Sequence, residues 1–367
     1  MSTSPQDARL SLCLSGIFSS TRLRQFNQLD SWVDAYDHPL AYLPSLGVKK
    51  QVVERVITWK KNWDKDKYLK LLAKEQIQLV YPEDELYPNA FRNMSDPPEV
   101  FFLRGTIPPG PSIAIVGSRR MTQYGRDCLA RIVPECVRVG LTVISGLALG
   151  IDGEAHSQTL TAQGRTLAIL GTGVDDASIY PREHFPLAQT ILKHQGGILA
   201  ECPPYADARK EHFPLRNRLI AGLADATLVV EAAKSSGSLI TAKCALEDNK
   251  EVLAIPGPLW NASSEGANAL IKAGARVCTG IQDILDALTL ERPDLIAKTR
   301  ERLPLSHEER LLLDTLSEPT HIDELIRKTN QPSQQINAQL STLELKGYVK
   351  MLGGQSWVSA ASFCAKP

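Results

Sequence analysis

The chain has 367 residues, 43% of them apolar and 6% aromatic, and its 41 basic residues are balanced by 41 acidic ones for a formal charge of zero. That length exceeds what one hydrophobic core organises, so two or three domains are expected, and the low aromatic content suits Leu/Ile/Val/Ala cores of α/β type. Neutrality excludes a protein that grips nucleic acid or an anionic membrane with its whole surface, so any polyanion site has to be a local patch.

Residues 1–75 read as short helices, "STRLRQFNQLDSWVDAY" then "LPSLGVKKQVVERVITWKKNW", a small helical domain of SAM or helix-hairpin-helix type. In "LPSLGVKK", Leu43 to Lys50, a small residue and Gly47 allow a tight turn. It reads first as a structural helical turn, with phosphate contact through the following amides and lysines as the alternative. The N-terminus lacks a basic segment followed by a long apolar run, and no stretch approaches the roughly 18 apolar residues of a membrane span. A cytoplasmic protein without membrane contact is expected.

The bridge "LVYPEDELYPNAFRNMSDPPEVFFLRG" carries four prolines. Proline suits neither central strands nor helix interiors, so an extended linker with a short strand or two against the next domain is expected. From Ser112 to about Ala287 six apolar runs alternate with helical periods: "SIAIV", "LTVIS", "TLAIL", "GILAE", "ATLVV" and "EVLAI". Continuous rather than alternating apolar runs describe strands covered on both faces. Residues 76–290 are therefore expected to form an α/β domain, a Rossmann-like doubly wound, mainly parallel sheet. Pro134, inside "QYGRDCLARIVPECVRVG", should kink that helix or end it early.

Residues 291–302 read as a charged, Pro-interrupted linker and 303–367 as a winged helix. Helices "SHEERLLLDTL", "HIDELIRKT" and "SQQINAQLSTLELKG" are followed by a hairpin turning at Gly353-Gly354, with Gly347 placed to stop the last helix. The segment after the "NQPS" turn offers Gln334, Gln335, Asn337 and Gln339 but only Lys346 as a cation. That favours protein contact or domain packing over duplex binding. The seven scattered cysteines include no C-x-x-C and no zinc spacing, so they read as reduced core residues.

In an open parallel sheet, ligands bind outside the carboxyl ends of the strands. There the sequence places Gly117-Ser118-Arg119-Arg120, Gly146 to Asp152, Gly171-Thr172-Gly173, Cys202-Pro203-Pro204, and Glu231 to Ser238. Glycine and serine at such ends let backbone amides approach an anion, and tight βα turns are the alternative reading of any one loop. G-x-x-x-x-G-K-[ST], a continued G-x-G-x-x-G and G-x-S-x-G are all missing, which disfavours a P-loop NTPase, a dinucleotide enzyme and a serine hydrolase. His156, His184 and His212 read as structural or surface residues. A nucleic-acid backbone remains. "KEHFPLRNR" supplies Lys210, Arg216 and Arg218 as cations around Phe213, whose stacking on a base is worth about 1–3 kcal/mol. A buried Phe at a helix start is the alternative.

"AIVGSRR", "ISGLALGIDGEAH", "AILGTGVDDASIYP", "FPLRNRLIAGL", "LVVEAAKSSGSLITAKCALE" and "VLAIPGP…SEGANALIKAGA" stand in an order that resembles the DNA-processing DprA (Smf) family. The resemblance runs densely from Leu79 to Leu288. It implies a non-catalytic protein without cofactor or metal that binds single-stranded DNA, protects incoming DNA and loads the RecA recombinase onto it. The setting would be natural transformation or general recombination, with a homodimer formed through the Rossmann-like domain. Carried onto this chain, it implies Arg119 with Gly117, Ser118 and Gly146 on one side of a pocket. Lys210 would contact backbone and Phe213 would stack a base. Arg216, Asn217 and Arg218 would shape the site, and Gly237, Ser238 and Lys243 would form its far wall.

Two other readings stay open. The domain also resembles LOG-type phosphoribohydrolases, whose G-G-x-G-T-x-x-E supplies a glutamate for glycosidic cleavage; here Thr241 falls at that position. A pure interaction scaffold would leave Arg119, Lys210 and Phe213 unexplained.

Overall fold

A computed structural model describes residues 3–289, 307–316, 318–329, 331–345, 348–353 and 356–359. Nine strands form its main sheet: β1 (Ile77–Val80), β2 (Phe101–Gly105), β3 (Ser112–Val116), β4 (Thr142–Ser145), β5 (Thr166–Leu170), β6 (Gly197–Ala200), β7 (Ala226–Val229), β8 (Glu251–Ala254) and β9 (Arg276–Val277). All six apolar runs are strands, β3 to β8. Their spatial order is β1-β2-β6-β5-β4-β3-β7-β8-β9. From β3 to β9 every pairing is parallel, and β1 and β2 add an antiparallel edge. The chain winds outward from β3 to β6, then returns to place β7 on the other side of β3, so the topological switch point lies between β3 and β7.

The continuous apolar runs follow from this arrangement. In β5, Leu167 and Ile169 enter one core, with Val116, Ile144 and Val229. Ala168 and Leu170 enter the opposite one, with Phe102 and Ile198. Successive residues of a strand point to opposite faces, and here both faces are covered. The "strand or two" expected in the Pro-rich bridge are β1 and β2. The helix Gln123–Arg138 does not end early at Pro134, which lies inside it. Leu129, Ile132, Val133 and Cys136 are buried along the helix, and their packing outweighs the missing backbone donor.

Before the sheet come the helices Pro5–Leu14, Ser20–Gln28, Trp32–Asp37, Pro39–Ser45, Lys50–Asn62 and Lys65–Lys74. Phe26, Trp32, Leu43, Val53 and Val56 form their own core. Leu14 and Leu72 join the sheet's core beside Phe102 and Ile198. Gly47 makes the turn between the Pro39–Ser45 and Lys50–Asn62 helices at φ +73°.

The chain divides into two compact units, 1–283 and 284–367. The second contains the helices His307–Asp314, Ile322–Thr329 and Ser333–Leu345 with strands β10 (Thr320–His321), β11 (Val349–Gly353) and β12 (Ser356–Ser359). The strands pair antiparallel in the order β10-β12-β11, the expected winged helix with one extra short strand. Leu312, Leu325, Ile336, Leu340 and Trp357 fill its core, while Gln334, Gln335 and Asn337 are exposed. The predicted linker 291–302, Lys346, Gly347 and Gly354 lie outside the described residues. Among the described residues no helix is long and apolar enough to cross a membrane. Six cysteines are described, all unbonded, with Cys13, Cys136 and Cys278 buried.

Candidate nucleic-acid interface

The segment after β6 is pinned before it reaches "KEHFPLRNR". The Gly173 amide donates to the Ala206 carbonyl at 3.2 Å, and the Tyr205 amide donates to Asp175 Oδ1 at 2.9 Å. The helix His212–Leu223 follows, with Pro214 in its first turn, where a missing N–H costs nothing. Phe213 is half-buried, set against Gly171, where an added Cβ would stand 3.0 Å from the ring. The Tyr180 ring lies 5.9 Å from it, tilted by 47°.

The cation that meets this aromatic is Arg119. Its guanidinium carbon sits 5.2 Å from the centre of the Phe213 ring, a cation–π contact, and the side chain is exposed. Arg119 follows β3 and Phe213 packs on the loop after β5, so the contact spans the carboxyl ends of β3, β4 and β5. Lys210 is exposed three residues before Phe213.

The predicted ring of Lys210, Arg216 and Arg218 around Phe213 is corrected in two of its members. Arg216 is only 6% exposed and lies beneath the strand ends. Its Nη1 donates to the Gly146 carbonyl at 2.7 Å and to the Ile169 carbonyl. Asp152, buried at the start of the helix Ile151–Thr161, is its electrostatic partner. Burial lowers the Arg216 guanidinium to about 10. Burial also raises the Asp152 carboxyl, opposed by Arg216 and by the Gly146 amide that donates to it at 3.1 Å. Arg218 faces away from the rim, and its Nη2 donates to both carboxylate oxygens of Glu201 at 2.6 and 2.7 Å, with Asp96 3.2 Å from its Nε. Its charge is neutralised inside the protein.

The glycines and serines serve the frame. Any side chain at Gly146 would run into the Arg216 guanidinium. Gly150, at φ +80°, starts the next helix where an added Cβ would strike the Ser118 carbonyl. Gly117 packs against Ile151, and the Ser118 amide donates to the Glu231 carbonyl at 2.7 Å. The Ser118 hydroxyl bonds both backbone groups of Arg120 at 3.0 Å. Across the switch point, Asn217 Nδ2 donates to the Gly237 carbonyl at 3.1 Å, beside Ser238 at the start of the helix Ser238–Glu247. Lys243, 76% exposed in its side chain, pairs with Glu247 at 3.5 Å on the same helix.

The histidines hold structural positions: His156 is fully buried against Thr166 at 2.6 Å, and His184 contacts the Leu147 carbonyl at 2.8 Å. His212 Nδ1 lies 3.5 Å from Cys202 Sγ. Among the described residues no group of three His, Cys, Asp or Glu is placed to hold a metal. Three residues that the sequence placed at these strand ends without a role contribute: Tyr180, Asp152, and Glu231, which accepts from the Thr122 amide at 2.9 Å and fixes the loop carrying Arg119. Tyr180 follows the Gly171 loop, which is the signal that pointed toward it.

Residues 78–289 match the family described as DNA recombination-mediator protein A, and residues 297–355 match the DprA winged helix domain. The chain belongs to the DNA recombination-mediator protein A family. Protein Smf of Escherichia coli is 36% identical over 293 residues, covering 77% of this chain and 78% of Smf. DNA processing protein DprA of Bacillus subtilis is 39% identical, covering 58% of this chain and 71% of its own. The X-ray structure of DprA from Streptococcus pneumoniae aligns with a TM-score of 0.63 at 29% identity over 78% of this chain and 98% of that one. DNA processing protein A from Helicobacter pylori, whose structure was solved for its single-stranded DNA binding mode, aligns with a TM-score of 0.51 at 29% identity over 58% of this chain and 97% of that one. All twelve candidate residues fall inside the stretch matched to the recombination-mediator family.

Proposed function

We propose that the carboxyl edge of this sheet binds single-stranded DNA, and that the protein is a recombination mediator rather than an enzyme. In this reading it protects incoming DNA in the cytoplasm and loads RecA recombinase onto it, in natural transformation or general recombination. It acts as a homodimer through the Rossmann-like domain, with functional domains at 1–75, 76–290 and 303–367 joined at 291–302. The observation that carries the reading is the Arg119 guanidinium over the Phe213 ring at the strand ends, with exposed Lys210 nearby. One group attracts phosphate and the other offers a π-face that any base can use. The H. pylori relative's single-strand binding supports the same assignment. Thr241, where a phosphoribohydrolase would need its glutamate, is 1% exposed within its helix and gives no acid to a nucleotide hydrolase.

Labelled single-stranded oligonucleotide titrated at several salt concentrations tests the proposal. Wild type should bind with strong salt dependence, and Arg119→Ala or Lys210→Ala should each lower the slope of log K against log salt by about 0.7. Equal binding by wild type and both variants, or affinity indifferent to salt, defeats it. Release of free base from nucleoside monophosphates would favour the hydrolase instead.

A further inference from the structure

Away from the Arg119–Phe213 contact, a cavity of about 480 Å³ lies between the N-terminal helices and the loop that follows β6. That volume falls within the range of about 300–1,000 Å³ common for small-ligand sites. One part of its wall is aromatic. Trp59 and Tyr68 come from two N-terminal helices, and the exposed Tyr205 ring stands 6.0 Å from Tyr68 in an edge contact. Another part is cationic: Arg55 and Arg209 are exposed and form no ion pair among the described residues.

Two further observations point to an anionic ligand. Arg216 belongs to this wall too, and its Nε is buried without a hydrogen-bond partner. The helix Ser20–Gln28 begins in the wall, and its N-cap Ser19 supplies no side-chain bond to the first turn. The acids there are already engaged. Glu201 is bound by Arg218 and the Ser20 hydroxyl, and Asp96 by Arg24 and Arg218, which leaves exposed Asp207 outside that network.

We propose that this cavity is a second nucleotide site, with the base against the Trp59, Tyr68 and Tyr205 rings and the phosphate held by Arg55 and Arg209. One short segment serves both places. Arg209 faces the cavity, Lys210 is exposed beyond it and Phe213 meets Arg119. Within the helix, His212, Leu215 and Arg216 turn to the cavity, a spacing that shares one helical face. A strand leaving Phe213 over Lys210 would deliver its next nucleotides here. That source of the ligand rests on the single-strand reading above; a free mononucleotide is the other source and does not.

Fluorescence of Trp59, isolated by comparing the full chain with Trp59→Phe, reports occupancy. The probes are thymidine monophosphate, a thymidine trinucleotide and a twelve-residue oligothymidylate. Quenching by the long oligomer but not by the monophosphate identifies the cavity as part of the strand's path. In that case Arg55→Ala/Arg209→Ala should reduce the long oligomer's salt slope by about 0.7, one phosphate contact, and leave the trinucleotide unchanged. Quenching by the monophosphate alone, lost in the double variant, identifies a free nucleotide. No quenching by any probe, with the double variant binding the long oligomer like wild type, overturns the proposal. Arg119→Ala separates the two sites. If it abolishes trinucleotide binding while the cavity stays silent, the rim stands and the cavity fails. If it changes nothing while the monophosphate still quenches Trp59, the rim reading fails and the cavity stands.

Discussion

Replacing Arg216 by alanine should cost about 2–6 kcal/mol of folding stability, about 1–3 for each of the two buried carbonyls left without a donor. The loss would appear as a lower urea midpoint, with weakened DNA binding as a consequence. Two carbonyls, those of Gly146 and Ile169, lose their donor, and Asp152 loses the charge that opposes its desolvation. The pH dependence has a definite sign. Asp152 is held above its ordinary 3.8 by burial, so its contribution is full below that value and is lost as pH rises through the raised folded value. Without Arg216 the folded value climbs further. The deficit of Arg216→Ala should therefore be largest near neutrality and shrink in acid, where Asp152 takes up a proton. A deficit unchanged between pH 7 and pH 5 would mean that Asp152 is not the partner that matters.

Phe213→Ala should weaken single-stranded DNA by about 1–3 kcal/mol, roughly 5- to 150-fold in Kd, the worth of one stacked base. Phe213→Trp should retain most of the affinity, because it keeps a π-face beside Arg119 and Tyr180. Phe213→Leu should behave like alanine for DNA yet stay close to wild type in urea, which separates stacking from packing. Should Phe213→Ala bind like wild type while Arg119→Ala fails, phosphate contact alone would account for the rim and the stacking role would be withdrawn.

The sheet was legible because its strands are covered on both faces, which turns β3 to β8 into unbroken apolar runs. The two-residue strand β9, Arg276–Val277, left no such trace because it is short and partly exposed at the far edge. The strands β1 and β2 could be expected in a Pro-rich stretch because its prolines fall between them rather than within them. Around the rim, adjacency in sequence misled. Arg218 is five residues past Phe213, which turns it to the other side of the helix, toward Glu201 and Asp96. Arg216, three residues on, shares the face of Phe213 but lies deep enough for Gly146 to touch its guanidinium. No local pattern could supply Arg119 as the partner of Phe213, since that contact depends on the order of β3, β4 and β5 in space.

Leu14 and Leu72, from the first and last of the N-terminal helices, sit in the same apolar cluster as Phe102, Leu170 and Ile198 of the sheet. A fragment begun at residue 76 would therefore not be a trimmed, well-behaved sheet domain. It would present a greasy flank beside an edge strand, the combination that drives soluble fragments into aggregates. Limited proteolysis of the intact chain should accordingly spare the junction near Ile77. Swapping this helical segment between relatives would also require its buried leucines to travel with their partners in the sheet.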